Sequence, residues 1–124
     1  SPMPKNEPVG AAWIMEGQNG RYISVELDMG FRGSANLFLF RKDDSMYHAF
    51  IRMSGKKRKE VGVAWERVGA NDKIFYVLKL KQGIDGEPMT VMVLPNFDKN
   101  EASNQRLPDF KVFLGEERDV STEK

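Results

Sequence analysis

Few residues of this sequence could carry out catalysis. The chain has one histidine, His48, and no cysteine, so thiolate catalysis and zinc sites made of several Cys or His ligands are excluded. A nucleophilic triad needs a base within hydrogen-bond reach of its nucleophile. His48 is the candidate base, and it stands near Tyr47 and Phe50 in an alternating segment, as an ordinary strand histidine does. We therefore expect no catalytic residue and a protein that is not an enzyme.

Acidic residues offer two candidate magnesium sites, Asp43 with Asp44 and Asp98 with Glu101. Acids that adjoin one another in a loop are more often solvated turn residues than ligands. We expect neither a metal site nor a cofactor in this chain.

Positive charge is concentrated at one place, although the net charge of the whole chain is only +1. Such a basic cluster attracts phosphate groups. The alternative is a solvated hairpin whose lysines keep strand edges apart. The cluster consists of Arg52, Lys56, Lys57, Arg58 and Lys59, and further basic side chains of the first half include Arg21 and Arg41.

Aromatic residues are dense in segments that alternate apolar and polar side chains. In consecutive pairs such as Phe75 and Tyr76, alternation along a strand sends one ring to each face of the sheet. At least one ring of each pair must then lie in solvent, in a second sheet or at an interface. Tyr22 and Tyr47 are the rings that we expect to face solvent and to stack on a ligand.

A repeated phrase indicates how these side chains are positioned, because Val9–Trp13 reads VGAAW and Val61–Trp65 reads VGVAW. Segments such as RYISVELDM and KIFYVLKLK follow the two phrases, and both have the alternation and the β-branched and aromatic content of strands. Glycine-rich turns separate the segments. We predict an all-β fold of two pseudo-repeated four-stranded antiparallel meanders that form one small barrel or sandwich. Trp13 and Trp65 are expected at equivalent and largely buried places.

The domain prediction follows from the extent of the repeat. Residues 9–114 form a single β domain, made of the repeats 9–53 and 61–114, between a disordered arm at 1–8 and a flexible tail at 115–124. No apolar run approaches the roughly 20 residues of a membrane-spanning helix, and the first residues do not have the composition of a signal peptide. We expect a cytoplasmic protein with no membrane partner.

The second half contains the motifs VGVAW, YVLKL, VMVLPNFDK and LPDFKVFL. These motifs resemble the DUF736-like family of small phage and plasmid proteins, whose members combine Gly-x-x-Trp with an Asn-containing segment and a Pro-Asp-aromatic element. The resemblance is clearest over residues 61–114, with a degenerate copy at 9–53 in which Arg41 and Lys42 replace the Pro-Asn pair. It implies a small β-rich protein of mobile elements and transfers no catalytic residue.

The combination of aromatic strands and a basic turn favours a non-catalytic protein that binds single-stranded DNA or RNA, because bases stack on rings while cations contact phosphates. The alternative is a protein–protein interaction module, partner-binding or inhibitory, in which the same rings form an interface and strand edges pair with another chain. Exposed meander edges and surplus aromatic residues both favour self-association, so a homodimer is expected, with pairing of edge strands as one route to it. The candidate nucleic-acid contacts are Arg21, Tyr22, Arg41, Tyr47, Arg52, Lys56, Lys57, Arg58 and Lys59.

Overall fold

A computed structural model of the chain describes residues 8–18, 20–28, 33–55, 57–69, 72–81, 87–97 and 107–115. These residues contain eight strands: β1 (Gly10–Gly17), β2 (Gly20–Asp28), β3 (Ser34–Arg41), β4 (Met46–Arg52), β5 (Arg58–Val68), β6 (Ile74–Leu80), β7 (Met89–Pro95) and β8 (Phe110–Leu114). Of the predicted arm and tail, only Pro8 and Gly115 fall within the described ranges. None of the described residues belongs to a helix of the length and hydropathy needed to cross a membrane.

The eight strands form one closed antiparallel barrel, in which each strand pairs with the next along the chain and β8 pairs with β1. The closing seam is short and joins Gly10–Ala12 of β1 to Phe110–Val112 of β8. The predicted all-β fold is thus confirmed, and of the two predicted architectures the barrel is the one observed. Each described strand has a neighbour on both sides, so the barrel has no free edge strand among the described residues, and the expected homodimer stays a prediction.

Alternating side chains fill the barrel, as expected for eight strands, which enclose just enough space for their inward residues. The largest side chains with no exposed surface are aliphatic and come from β2, β3, β6, β7 and β8: Val25, Leu39, Leu78, Val91, Val93 and Val112. The residues between them point outward. This alternation decides which functional candidates lie inside the barrel and which lie on its outer surface.

Two glycines allow close approach of strands at corresponding places. Gly10 lies opposite Leu27 and Gly62 lies opposite Leu80. A Cβ atom at Gly10 would collide with the carbonyl oxygen of Glu26, and one at Gly62 with that of Lys79. These matching registers are in line with the pseudo-repeat, which itself stays a prediction.

The tryptophans of the repeated phrase lie on the outer surface. Trp13 and Trp65 follow the fully buried Ala12 and Ala64, so alternation turns both rings outward, where they are half-buried. Both rings therefore lie outside the barrel core, and neighbouring side chains cover them in part. The Nζ atom of Lys79 lies 5.9 Å from the centroid of the Trp65 ring.

A bulge in β5 orients the basic residues at its start. Phe50 pairs with Glu60 and Ala49 pairs with Gly62, so Val61 is an extra residue opposite β4. Because of this extra residue, Glu60 points outward although Gly62 points inward. Arg58, two residues before Glu60, shares its outward direction.

Candidate nucleic-acid interface and barrel mouth

An aromatic platform lies on the outer surface of β2 to β5. We use this name for six residues that line a shallow groove of about 220 Å³: Tyr22, Phe38, Phe40, Phe50, Arg52 and Arg58. The four rings are half-buried and the two arginines are exposed. The rings face outward because the residues that alternate with them, such as Ile23 and Leu39, fill the core.

The rings of the platform form a continuous series across three strands. The Tyr22 and Phe40 centroids are 5.3 Å apart, and those of Phe40 and Phe50 are 5.8 Å apart. Phe38 lies 6.1 Å from Tyr22. These separations are typical of interacting aromatic pairs, so the rings support one another as a single surface.

Both platform arginines lie over aromatic rings. The guanidinium carbon of Arg52 is 5.1 Å from the Phe38 centroid. That of Arg58 is 4.9 Å from the Phe40 centroid and 4.8 Å from the Phe50 centroid. Cation–π contacts at such distances hold the guanidinium groups against the rings. Positive charge and stackable surface are therefore combined in one place.

The structure divides the predicted basic cluster. Arg52 and Arg58 reach the platform, whereas Lys57 is exposed in the turn between β4 and β5. Lys59 pairs with Ile51, which packs against the core, so its side chain leaves β5 on the side opposite to Arg58. Lys56 lies outside the described residues.

Three other predicted contacts lie at one end of the barrel, which we call the barrel mouth, where β1, β3, β5 and β7 end and the other four strands begin. Arg21 is at its rim, with Nε donating to the Glu16 carboxylate at 2.8 Å. Arg41 and Tyr47 lie further in, and the Tyr47 side chain is only 5 % exposed. The expectation that Tyr47 faces solvent beside Tyr22 is wrong, because the two tyrosines have opposite phases on their strands.

A hydrogen-bonded triad organises the barrel mouth. The Tyr47 hydroxyl accepts a hydrogen bond from Nη2 of Arg41 at 2.6 Å and donates one to Oε1 of Glu66 at 3.1 Å. Nη2 of Arg41 is also 3.5 Å from the same carboxylate oxygen. Nη1 of Arg41 donates to the Asp44 carbonyl at 2.7 Å, which fastens the guanidinium to the β3–β4 turn. The charge of Glu66 is therefore balanced within the triad.

Two buried tyrosines stay protonated at neutral pH. Burial raises the pKa of Tyr76 well above its ordinary value, and the neighbouring Tyr47 raises it further. Burial also raises the pKa of Tyr47, against the opposing effect of its hydrogen bond with Tyr76. Both hydroxyl groups consequently remain neutral and able to donate hydrogen bonds.

The barrel mouth encloses a cavity of about 520 Å³. Its floor is a series of rings in which Tyr76 lies edge-on between Tyr47, at 5.4 Å and 90°, and Phe110, at 5.5 Å and 73°. Charged side chains of both signs lie around the opening. The apolar part of the lining consists of Ile14, Ile23, Ile74, Pro95 and Phe110. This volume lies within the range of small-molecule sites, which combine apolar walls with a few polar groups.

Glu66 is a site residue that we did not predict. Gly62 and Ala64 point inward, so the alternation within VGVAWERV places Glu66 inward at the mouth end of β5. Arg41 has the same inward phase at the mouth end of β3. The sequence pattern that predicts this ion pair is therefore the presence of opposite charges, Glu66 and Arg41, at inward positions of the same end of the barrel.

The motif residues of the second half close the barrel. Nδ2 of Asn96 donates to the Pro108 carbonyl at 2.9 Å, which ties the two ends of the β7–β8 connection together. The Asp109 carboxylate accepts a hydrogen bond from the Ile14 amide at 2.8 Å and so continues the seam beyond Ala12. These contacts give the Pro-Asn and Pro-Asp elements structural roles.

Of the candidate catalytic and metal-binding residues, the structure describes His48, Asp43 and Asp44. His48 is half-buried on the outer surface, with Nδ1 3.3 Å from Oε2 of Glu60. Asp43 accepts a hydrogen bond from the Ser45 amide at 3.4 Å within its turn, while Asp98 and Glu101 lie outside the described residues. Within the described ranges, no three His, Cys, Asp or Glu side chains are grouped so that they could hold a metal ion.

Comparison with known proteins found no match to this chain among protein-family models, curated proteins or solved structures. The resemblance to the DUF736-like family therefore stays a prediction from its motifs. Arguments about function depend on the platform and the barrel mouth themselves.

Proposed function

We propose that the protein is a non-catalytic single-stranded nucleic-acid-binding protein of the phage or mobile-element type, and that it binds its ligand on the aromatic platform. The observation that carries this proposal is the meeting of four outward rings with Arg52 and Arg58 in one groove. Bases of any identity stack on aromatic rings, and arginine contributes both charge for phosphate and a planar face for stacking. DNA and RNA share these features, so the platform suits either.

The charge contribution is tested with arginine and lysine variants. Arg52→Ala and Arg58→Ala should each weaken binding to single-stranded DNA and lower the slope of log K against log salt by roughly 0.7, the value for one lost phosphate contact on a single strand. Lys59→Ala is the matched control, because it removes the same charge from the opposite side of β5. Its slope should equal that of the wild type. Fluorescence anisotropy at several salt concentrations measures all of these slopes.

The stacking contribution is tested separately. Tyr22→Ala should weaken binding by about 1–3 kcal/mol for one stacked base while leaving the salt slope unchanged. Arg58→Lys should keep the slope but lose affinity, since a lysine retains the charge and not the planar face over Phe40 and Phe50. A folded wild-type protein that binds no single strand at low salt, or binds duplex equally well, would rule out the proposed function.

A protein–protein interaction module is the second candidate. The platform combines aromatic residues with arginine, and these residue types are also enriched at the centres of protein interfaces. In a closed barrel, the partner or a second copy would be bound through the outer surface. Light scattering of the wild type at high micromolar concentration tests for a homodimer, and Phe40→Ala should return a platform-mediated dimer to the monomer mass.

A further inference from the structure

The barrel mouth has the features of a second binding site, which adjoins the aromatic platform at Tyr22. Its cavity of about 520 Å³ is large enough for a nucleotide-sized molecule and is open to solvent at one end. Ile14 and Ile74 stand at the opening with 43 % and 41 % of their surface exposed. Apolar side chains left exposed around a cavity with polar groups are typical of a ligand site.

The lining of the cavity favours a flat ring with apolar faces. Ile14, Ile23 and Ile74 supply aliphatic walls, and Tyr76 and Phe110 supply a floor of rings. A planar heterocycle can contact such side chains with its apolar faces and still present its polar edge to a polar group of the lining.

Glu66 is the polar group that can accept hydrogen bonds from the polar edge of the heterocycle. Its side chain is 21 % exposed and lines the cavity. Its contacts with Tyr47 and Arg41 within the described residues both use Oε1, so Oε2 has capacity for a donor from a ligand. Arg41 already balances the charge, and a neutral ligand therefore fits better than a cation.

We propose that the barrel mouth binds one nucleobase, with the amino-bearing edge of the base donating to the Glu66 carboxylate. A carboxylate accepts from N–H groups and is repelled by carbonyl oxygens. Guanine presents two adjacent donors, N1–H and the exocyclic amino group, whereas thymine presents one N–H between two carbonyl oxygens. The order of affinity is therefore guanine before adenine and cytosine, with thymine and uracil last. Arg21 and Lys73 line the same opening, where a phosphate on the sugar of the bound base would emerge.

The test uses nucleoside monophosphates, so it does not depend on strand binding by the platform. Equilibrium dialysis with dGMP, dTMP and the base-free control deoxyribose 5-phosphate gives the affinity of each. We expect dGMP to bind at least about tenfold more tightly than dTMP, as one hydrogen bond to a charged group allows. Deoxyribose 5-phosphate should bind more weakly than either. Equal binding of the three compounds, or no binding of dGMP, would overturn the proposal.

Variants locate the site. Glu66→Gln should remove the preference for dGMP over dTMP, while Glu60→Gln, on the outer surface beside His48, should keep it. If thermal unfolding shows that Glu66→Gln is not folded, Ile74→Trp provides an independent variant, because it adds bulk at the opening of the cavity and leaves the three triad residues unsubstituted. Full dGMP binding by folded Ile74→Trp would contradict the proposal.

The bound base could come from a free nucleotide or from the end of a single strand. An oligonucleotide with a terminal guanine is compared with one whose terminal site is abasic, each with the wild type and with Glu66→Gln. If the wild type, but not Glu66→Gln, binds the guanine strand more tightly than the abasic strand, the barrel mouth binds the end of a single strand. If the wild type binds both strands equally well, the barrel mouth binds free nucleotides. Arg58→Ala should weaken both strands and leave dGMP binding unchanged, so failure of the platform and failure of the mouth are distinguishable.

Discussion

Substitution of Tyr47 by Phe removes one hydroxyl group and leaves the buried ring in place. The hydroxyl accepts a hydrogen bond from Arg41 at 2.6 Å, donates one to Glu66 at 3.1 Å and also hydrogen-bonds the buried Tyr76. A hydrogen bond to a charged group contributes about 1.5–3 kcal/mol to stability. The Arg41 and Glu66 side chains are 51 % and 21 % exposed and remain 3.5 Å apart, so water and their own ion pair offset part of the loss. We therefore expect Tyr47→Phe to lower the free energy of unfolding by about 1–2 kcal/mol.

Urea unfolding at pH 7, followed by tryptophan fluorescence, measures this change. Tyr22→Phe is the matched control, because it removes a hydroxyl from a half-buried ring on the outer surface and should stay within about 0.5 kcal/mol of the wild type. A double-mutant cycle with Glu66→Gln should give a coupling energy of at least about 0.5 kcal/mol, as groups in one network do. If Tyr47→Phe is as stable as the wild type, the triad does not stabilise the barrel mouth.

Two further predictions concern stability. Burial holds the pKa of Tyr76 above its ordinary value of 10.0, so the stability due to its protonated form is complete below pH 10 and falls as the pH rises toward the folded-state pKa. In urea titrations, Tyr76→Phe should therefore lose less stability than the wild type between pH 9 and pH 12. An equal loss in both proteins would count against the buried phenol as its source. Gly62→Ala should destabilise the barrel by about 1–3 kcal/mol or more, because the added Cβ meets the backbone of Lys79. If this variant unfolds at the same temperature as the wild type in a thermal scan, β5 and β6 can separate at that position.

Alternation within each segment was sufficient to predict the strands, because period-2 patterning depends only on near neighbours in the chain. The choice between barrel and sandwich was not predictable, since closure depends on how β8 meets β1. That seam consists of only three residue pairs and the additional hydrogen bond from the Ile14 amide to the Asp109 carboxylate. No local sequence pattern predicts it.

The residue types of the candidate site could be predicted from the sequence, but the positions of their side chains relative to one another could not. Tyr22, Arg52 and Arg58 do meet, because neighbouring strands bring their outward positions together. Ring chemistry alone predicts an exposed Tyr47, whereas its phase with the buried Ala49 directs the side chain inward. Closeness in sequence groups Lys59 with Arg58, although adjacent residues of a strand point to opposite sides.

The same alternation links the two proposed sites. Tyr22 lines both the platform groove and the mouth cavity, and Phe40 on the platform is followed directly by Arg41 of the triad. Because Tyr22 borders both surfaces, its substitution affects the platform and the barrel mouth together. Arg58 lines only the platform groove and Glu66 lines only the mouth cavity, so variants at these two residues distinguish the two sites.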